Sequence, residues 1–278
     1  MNIGLGLPTT IPGVTGELLI DWARRADAGP FSSLGVLDRV AYHNYEPFTA
    51  LAAAAAVTQR IRLATMVVIA PLRNTMLLAK QAASLDALSG GRLTLGLAVG
   101  ARGEDYQVAQ IESRGRGRRF AEQLEAIRDV WEDGKVGPKP AGSGPQLLVG
   151  GSSGEALARM ARYSDGYMHG GGPPRAFSGA VSKARAAWTD LGRPGKPLLW
   201  GMGYFALGDG GDRAAEYLRH YYAFTGPFAE KIAAGNLTSA GAIVDFIRGY
   251  EDAGCDELVL FPTLSSPEQA DRLAEVIH

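Results

Sequence analysis

Ile61-Arg62-Leu63-Ala64-Thr65-Met66-Val67-Val68-Ile69, closed by Pro71, and Arg92-Leu93-Thr94-Leu95-Gly96-Leu97-Ala98-Val99 are two apolar runs bounded by breakers. Runs of this kind suit strands of a parallel sheet covered on both faces, where both sides of each strand need apolar side chains. Between them, Leu77, Leu78, Gln81, Leu85 and Leu88 fall at helical spacing, and Ser89-Gly90-Gly91 stops the helix just before the second run. The segment from Arg60 to Tyr106 therefore reads as a βαβ unit. Its second strand empties into Gly100-Ala101-Arg102-Gly103-Glu104-Asp105-Tyr106, a loop rich in glycine and charge. In α/β folds that end of the strands is where ligands bind.

Working outward, strand-like runs recur at about residues 3–7, 34–37, 62–69, 93–98, 146–149, 166–169, 198–206 and 257–261. Helical patterns separate them at about 15–28, 46–58, 74–88, 117–132, 154–163, 174–191, 212–250 in pieces, and 267–277. Eight strands alternating with helical segments over 278 residues indicate a (β/α)8 barrel, with an open doubly wound sheet as the rival. No composition shift marks a boundary, so residues 1–278 are expected to form a single domain. The glycine- and proline-rich piece from Gly134 to Pro145 reads as a flexible connector.

The formal net charge of −1 gives no electrostatic reason to expect nucleic acid or an anionic membrane as partner, which leaves a small molecule. Cys255 is the sole cysteine, so no intrachain disulfide and no multi-cysteine metal site can form, and a cytoplasmic setting fits. The start, Met1-Asn2-Ile3-Gly4-Leu5-Gly6-Leu7-Pro8, lacks the basic opening of a signal peptide and reads as the first strand.

Barrel enzymes build their sites from the loops after the strands. After the second strand, Asp38-Arg39-Val40-Ala41-Tyr42-His43-Asn44-Tyr45 gathers an acid, a fixed cation, an imidazole and two phenols. That set suits proton transfer or anion binding; equally, Asp38 and Arg39 would form a structural ion pair and His43 an ordinary loop histidine. After the fourth strand, Arg102 and the cluster Arg114, Arg116, Arg118 and Arg119 suit a phosphate or form a solvated patch balanced by Glu122, Glu125 and Asp129. After the fifth, Gly150-Gly151-Ser152-Ser153-Gly154 opens a helix, and glycines, hydroxyls and a helix N-terminus together make a phosphate cradle. After the sixth, His169-Gly170-Gly171-Gly172-Pro173-Pro174 would wrap an aromatic ring or serve as a turn.

Taken together, Glu46-Pro47-Phe48, the stretch Arg60 to Pro71, Leu85-Asp86-Ala87-Leu88-Ser89-Gly90-Gly91-Arg92, Gly100 to Tyr106, Arg118-Arg119-Phe120, Leu148-Val149-Gly150-Gly151-Ser152 and Asp165-Gly166-Tyr167 resemble the bacterial luciferase-like superfamily of flavin-dependent barrel oxidoreductases. The Leu-Asp-x-Leu-Ser-Gly-Gly-Arg run followed by a Gly-rich strand is the specific part, and about the last 100 residues match only in pattern.

The resemblance implies a flavin or deazaflavin at the C-terminal mouth of the barrel. It implies a bulge on the third strand, with a non-proline cis peptide at Met66-Val67, so that Thr65, Met66 and Val67 lie against the ring system. The phosphate falls on Arg102, Gly150, Gly151, Ser152 and Ser153. Luciferases and many deazaflavin-dependent relatives carry a histidine after the second-strand acid, where this chain has Arg39. Arginine cannot act as a general base at neutral pH, so Arg39 is expected to clamp an anion or carbonyl, with His43 the candidate proton carrier. Tyr42, Trp200, Tyr204 and Phe224 are candidate aromatic walls for the substrate. The leading expectation is a monooxygenase using reduced FMN from a separate NAD(P)H flavin reductase. A hydride-transfer enzyme using coenzyme F-420 and a flavin-binding protein without turnover are the alternatives. Dimers are common in the family, and no interface is readable from these residues.

Overall fold

The apolar runs form parallel strands that close on themselves. In a computed structural model describing residues 1–142 and 144–278, the strands are β1 (Asn2–Gly6), β2 (Ser33–Val36), β3 (Arg62–Thr65), β4 (Val68–Ile69), β5 (Leu93–Ala98), β6 (Gln146–Gly150), β7 (Gly166–Met168), β8 (Leu198–Phe205) and β9 (Glu257–Pro262). Each pairs in parallel with the next except that β3 and β4 both pair with β5 rather than with each other, and β1 pairs with β9, which completes the ring. β3 and β4 are two halves of one barrel strand, so the architecture is a closed eight-stranded (β/α)8 barrel. The third expected strand is thus divided at Met66-Val67, whose peptide bond is cis.

Helices α1 (Gly16–Ala28), α2 (Pro47–Ala55), α3 (Thr75–Leu88), α4 (Gly103–Val108), α5 (Arg116–Asp133), α6 (Gly154–Tyr163), α7 (Pro174–Asp190), α8 (Gly211–Tyr221), α9 (Phe228–Ala234), α10 (Ala240–Asp252) and α11 (Glu268–Ile277) follow the strands. The side-chain alternation of a strand builds two layers from one sheet. On β6, Leu147 and Val149 join the layer between sheet and helices, while Leu148 joins Ala64, Met66, Met168, Trp200, Met202, Val259 and Phe261 inside the barrel. α3 begins where Asn74 accepts the Met76 and Leu77 N–H groups, and it buries Leu78, Ala79, Ala82, Ala83 and Leu85. Leu77 and Leu88, which the spacing assigned to the buried face, are exposed. The alanines displace them, because small residues let α3 approach its neighbours closely.

The piece from Gly134 to Pro145 leads from α5 to β6 with a cis Gly137-Pro138 bond, and Ser143 within it lies outside the described residues. Between β8 and β9 the chain makes α8, a 3₁₀ turn (Ala223–Thr225) and α9. Tyr217, Tyr221 and Ala233 of this insertion pack onto the barrel's inner cluster. Among the described residues no helix is long and apolar enough to cross a membrane.

Candidate active site at the barrel mouth

The loop after β2 is sewn to the loop after β5 by one carboxylate. Asp105, on α4, accepts the Val40 and Ala41 N–H groups on Oδ1 at 2.8 and 2.7 Å, and Arg39 Nε on Oδ2 at 2.9 Å. Arg39 Nη2 donates to Glu104 Oε1. Both side chains of the Arg39–Asp105 pair are 1% exposed, so this is a buried ion pair with its hydrogen bonds filled. The expected Asp38–Arg39 pair does not form. Asp38 instead accepts the Ile69 N–H at 2.9 Å and faces Arg73, whose Nη2 lies 3.2 Å from each Asp38 oxygen. Burial pushes the Asp38 carboxyl above its usual range, against the pull of Arg73 and the Ile69 N–H. The strand acid therefore fixes the end of the β3–β4 bulge.

A cleft of about 410 Å³ opens beside this ion pair, lined by Arg39, Tyr42, His43, Glu104, His220 and Phe224 among others. Tyr42 lies under the Arg39 guanidinium, 5.1 Å from ring centre to Cζ, and meets Tyr221 edge-on at 5.2 Å. Its hydroxyl is 3.0 Å from His220 Nδ1. Burial raises the Tyr42 phenol, with Arg39 and Arg102 acting the other way. His43 is exposed on the cleft wall. Trp200 and Tyr204, expected as substrate walls, are buried in the barrel's inner cluster, where Tyr204 Oη meets Tyr222 Oη at 2.8 Å.

The cofactor candidates divide into two groups. Thr65 Oγ1 donates to Gly96 O at 2.8 Å and accepts the Gly96 N–H at 2.9 Å, so its hydroxyl is committed to bridging the bulge. Met66 is buried in the inner cluster. Val67 is half-buried, and a Cβ on Gly150 would lie 3.5 Å from Val67 Cγ1, 3.4 Å from Ala98 Cβ and 3.3 Å from Met168 O. These residues converge at the strand ends, where the missing side chain of Gly150 lets Val67, Ala98 and the Met168 carbonyl approach one another. Beyond it, Gly151, Ser152, Ser153 and Gly154 are exposed, and nothing lies within 4 Å of a Cβ placed on Gly154. Gly151 needs its freedom, since at φ 131° a Cβ would lie 2.7 Å from Ala156 Cβ. Ser153 caps α6 by accepting the Ala156 N–H at 3.2 Å. The first-turn amides have no intrahelical partners, and together with the serine hydroxyls they fit a phosphate group.

Arg102 stands elsewhere on the mouth. Its Cζ is 4.4 Å from the Tyr221 and Phe224 ring centres and 5.4 Å from that of Tyr222, and Nη2 donates to Tyr221 O at 3.1 Å. Its Nε is buried without a hydrogen-bond partner. The sequence reading missed His220 and gave no role to Asp105. The aromatic run around Tyr217, Tyr221, Tyr222 and Phe224 was the available signal for the insertion that supplies His220.

A family model described as luciferase-like monooxygenase matches residues 1–254. An uncharacterized protein of Mycobacterium tuberculosis is 32% identical over 209 residues, covering 63% of this chain and 72% of that protein. The pyrimidine monooxygenase RutA of Methylobacterium radiotolerans is 30% identical over 213 residues, 69% of this chain and 54% of RutA. Among solved structures, a secondary alcohol dehydrogenase dependent on coenzyme F-420 superposes with TM-score 0.83 at 17% identity, covering 99% and 97% of the two chains. Monooxygenase RslO1 from Streptomyces bottropensis gives 0.78 at 20% identity, covering 100% and 97%. At these identities the structural likenesses establish the shared barrel. The family model spans most of the chain, and the chain belongs to the luciferase-like monooxygenase family.

Proposed function

We propose that this chain, acting as one catalytic barrel, is a flavin-dependent monooxygenase of a small organic substrate, taking reduced FMN from a separate NAD(P)H flavin reductase. The observation that carries the reading is the exposed turn from Gly151 to Gly154 at the start of α6, next to the strand ends where Val67, Ala98 and Gly150 converge. A flat ring system would lie against those strand ends, with the Ser152 and Ser153 hydroxyls and the first amides of α6 taking the phosphate. Bound reduced FMN supplies the electrons that reduce oxygen. Tyr221, Tyr222 and Phe224 of the insertion keep water from the mouth. Arg39, held by Asp105 and Glu104, fixes the loop that carries Tyr42 and His43. RutA's description as a monooxygenase supports the oxygen-using branch.

The cradle is tested by Ser152→Asp. A carboxylate at that turn opposes the phosphate, and FMN binding, read by quenching of ring fluorescence, is expected to weaken about ten-fold. Unchanged affinity would move the phosphate away from α6.

A further inference from the structure

The cleft lined by Tyr42, His43 and His220 has a chemistry of its own, and its use as a substrate site rests on the reading above. We propose that it takes a flat, uncharged ring bearing a carbonyl oxygen, and that Tyr42, backed by His220, donates the hydrogen bond and the proton to that oxygen.

The shape argument comes from the walls. Tyr42, Tyr221, Phe224 and Pro12 line a space of about 410 Å³, enough for a molecule of one or two rings. Phe224 is 43% exposed although the Arg102 guanidinium covers part of its ring, so aromatic surface faces the cleft. Such faces favour planar ligands.

The charge argument comes from what is already paired. Arg39 gives Nε to Asp105 and Nη2 to Glu104, whereas Arg102, which has no acidic partner among the described residues, lies outside the cleft lining and packs on Tyr221 and Phe224. Glu104 stands on the cleft wall, so an incoming carboxylate would meet a like charge. An incoming ammonium would meet the Arg39 guanidinium. A neutral ligand avoids both penalties.

The donor is the Tyr42–His220 pair, 3.0 Å apart. With its proton on Nδ1, His220 donates to Tyr42 Oη, and the phenol proton is then directed to another acceptor. A carbonyl oxygen is such an acceptor. When the oxygen nucleophile of the proposed monooxygenation adds to the carbonyl carbon and the C=O π pair moves onto oxygen, the Tyr42 O–H bond breaks and an O–H bond forms on the substrate. The Nδ1 proton of His220 passes to Tyr42 Oη, and water protonates Nε2 of the exposed imidazole. One solvent proton has then moved to the substrate, and His220 has changed tautomer. The Arg39 and Arg102 charges, the Glu104 carboxylate and the Tyr221 phenol are the other groups around Tyr42.

Benzamide, benzoate and benzylamine share a ring and differ in charge, which makes them a direct probe by saturation-transfer NMR on the full chain with FMN present. Benzamide is expected to bind at least about five-fold more tightly than the other two, and Tyr42→Phe to weaken it about five-fold. Nitrogen-15 spectra should place the neutral His220 proton on Nδ1 in the wild type, with that preference lost in Tyr42→Phe. Failure of benzamide to bind, a preference for benzoate or benzylamine, an unchanged Tyr42→Phe, or an Nε2 proton in both proteins would overturn the inference. FMN affinity measured in the same samples separates the two levels: an absence of FMN binding sinks the cofactor reading, whereas FMN binding without benzamide binding sinks only the substrate site.

Discussion

Removing the Arg39 guanidinium would leave the Asp105 carboxylate buried, with only the Val40 and Ala41 amides to satisfy it. Breaking one side of a buried ion pair costs about 3–5 kcal/mol, so Arg39→Met is expected to lose about that much in urea unfolding. The double change Arg39→Met with Asp105→Asn should recover part of the loss, because it removes the stranded charge. A single variant as stable as the wild type would contradict the structural role. This pair was not legible in the sequence, since Arg39 and Asp105 are 66 positions apart and adjacent acids and bases along the chain suggested Asp38 as partner. The pairing of Tyr42 with His220, 178 positions apart, was hidden for the same reason. The cradle candidates from Gly150 to Ser153 were more readable, because their chemistry depends on a local strand-to-helix turn that glycine and serine mark directly.

At the scale of elements, the interrupted third strand depends on Thr65. Its hydroxyl replaces ladder bonds by meeting both the N–H and the C=O of Gly96. Thr65→Val keeps the side chain's size but leaves those buried groups without this partner, and is expected to destabilise the barrel by about 2 kcal/mol in urea unfolding. No change would mean that neighbouring backbone takes over both bonds. The remaining elements were largely legible: apolar runs gave strands within about a residue or two of their observed ends, and Glu46, Asn74 and Ser153 cap helices where the periodicity began. The break at Met66-Val67 was not visible in a uniformly apolar run and came only through family resemblance. α4 was missed because its six residues, Gly103–Val108, carry charge and no apolar period.

At the scale of the molecule, the strand starts close the barrel around polar side chains, whereas the strand ends carry the candidate site. Glu257 is buried there, and accepts from Ser32 Oγ and Ser33 Oγ at 2.5 Å each on Oε1. Burial raises its carboxyl above the ordinary range, outweighing those donors. Below the unfolded value both states keep the proton; as pH rises through the window up to the raised folded value, the unfolded chain releases it first and stability falls. Glu257→Gln removes this titration while keeping an acceptor. Its unfolding free energy relative to wild type should therefore improve from about pH 4 to about pH 8, and a constant difference would contradict a raised carboxyl.

On the proposed function, this barrel mouth serves reduced FMN. The most direct measurement is a fluorescence titration of the purified chain with FMN and, in parallel, with coenzyme F-420. Saturable binding with a clear preference for FMN, weakened by Ser152→Asp, is expected. A preference for F-420 would contradict the monooxygenase reading and point to hydride transfer, and binding of neither would contradict the cofactor site itself.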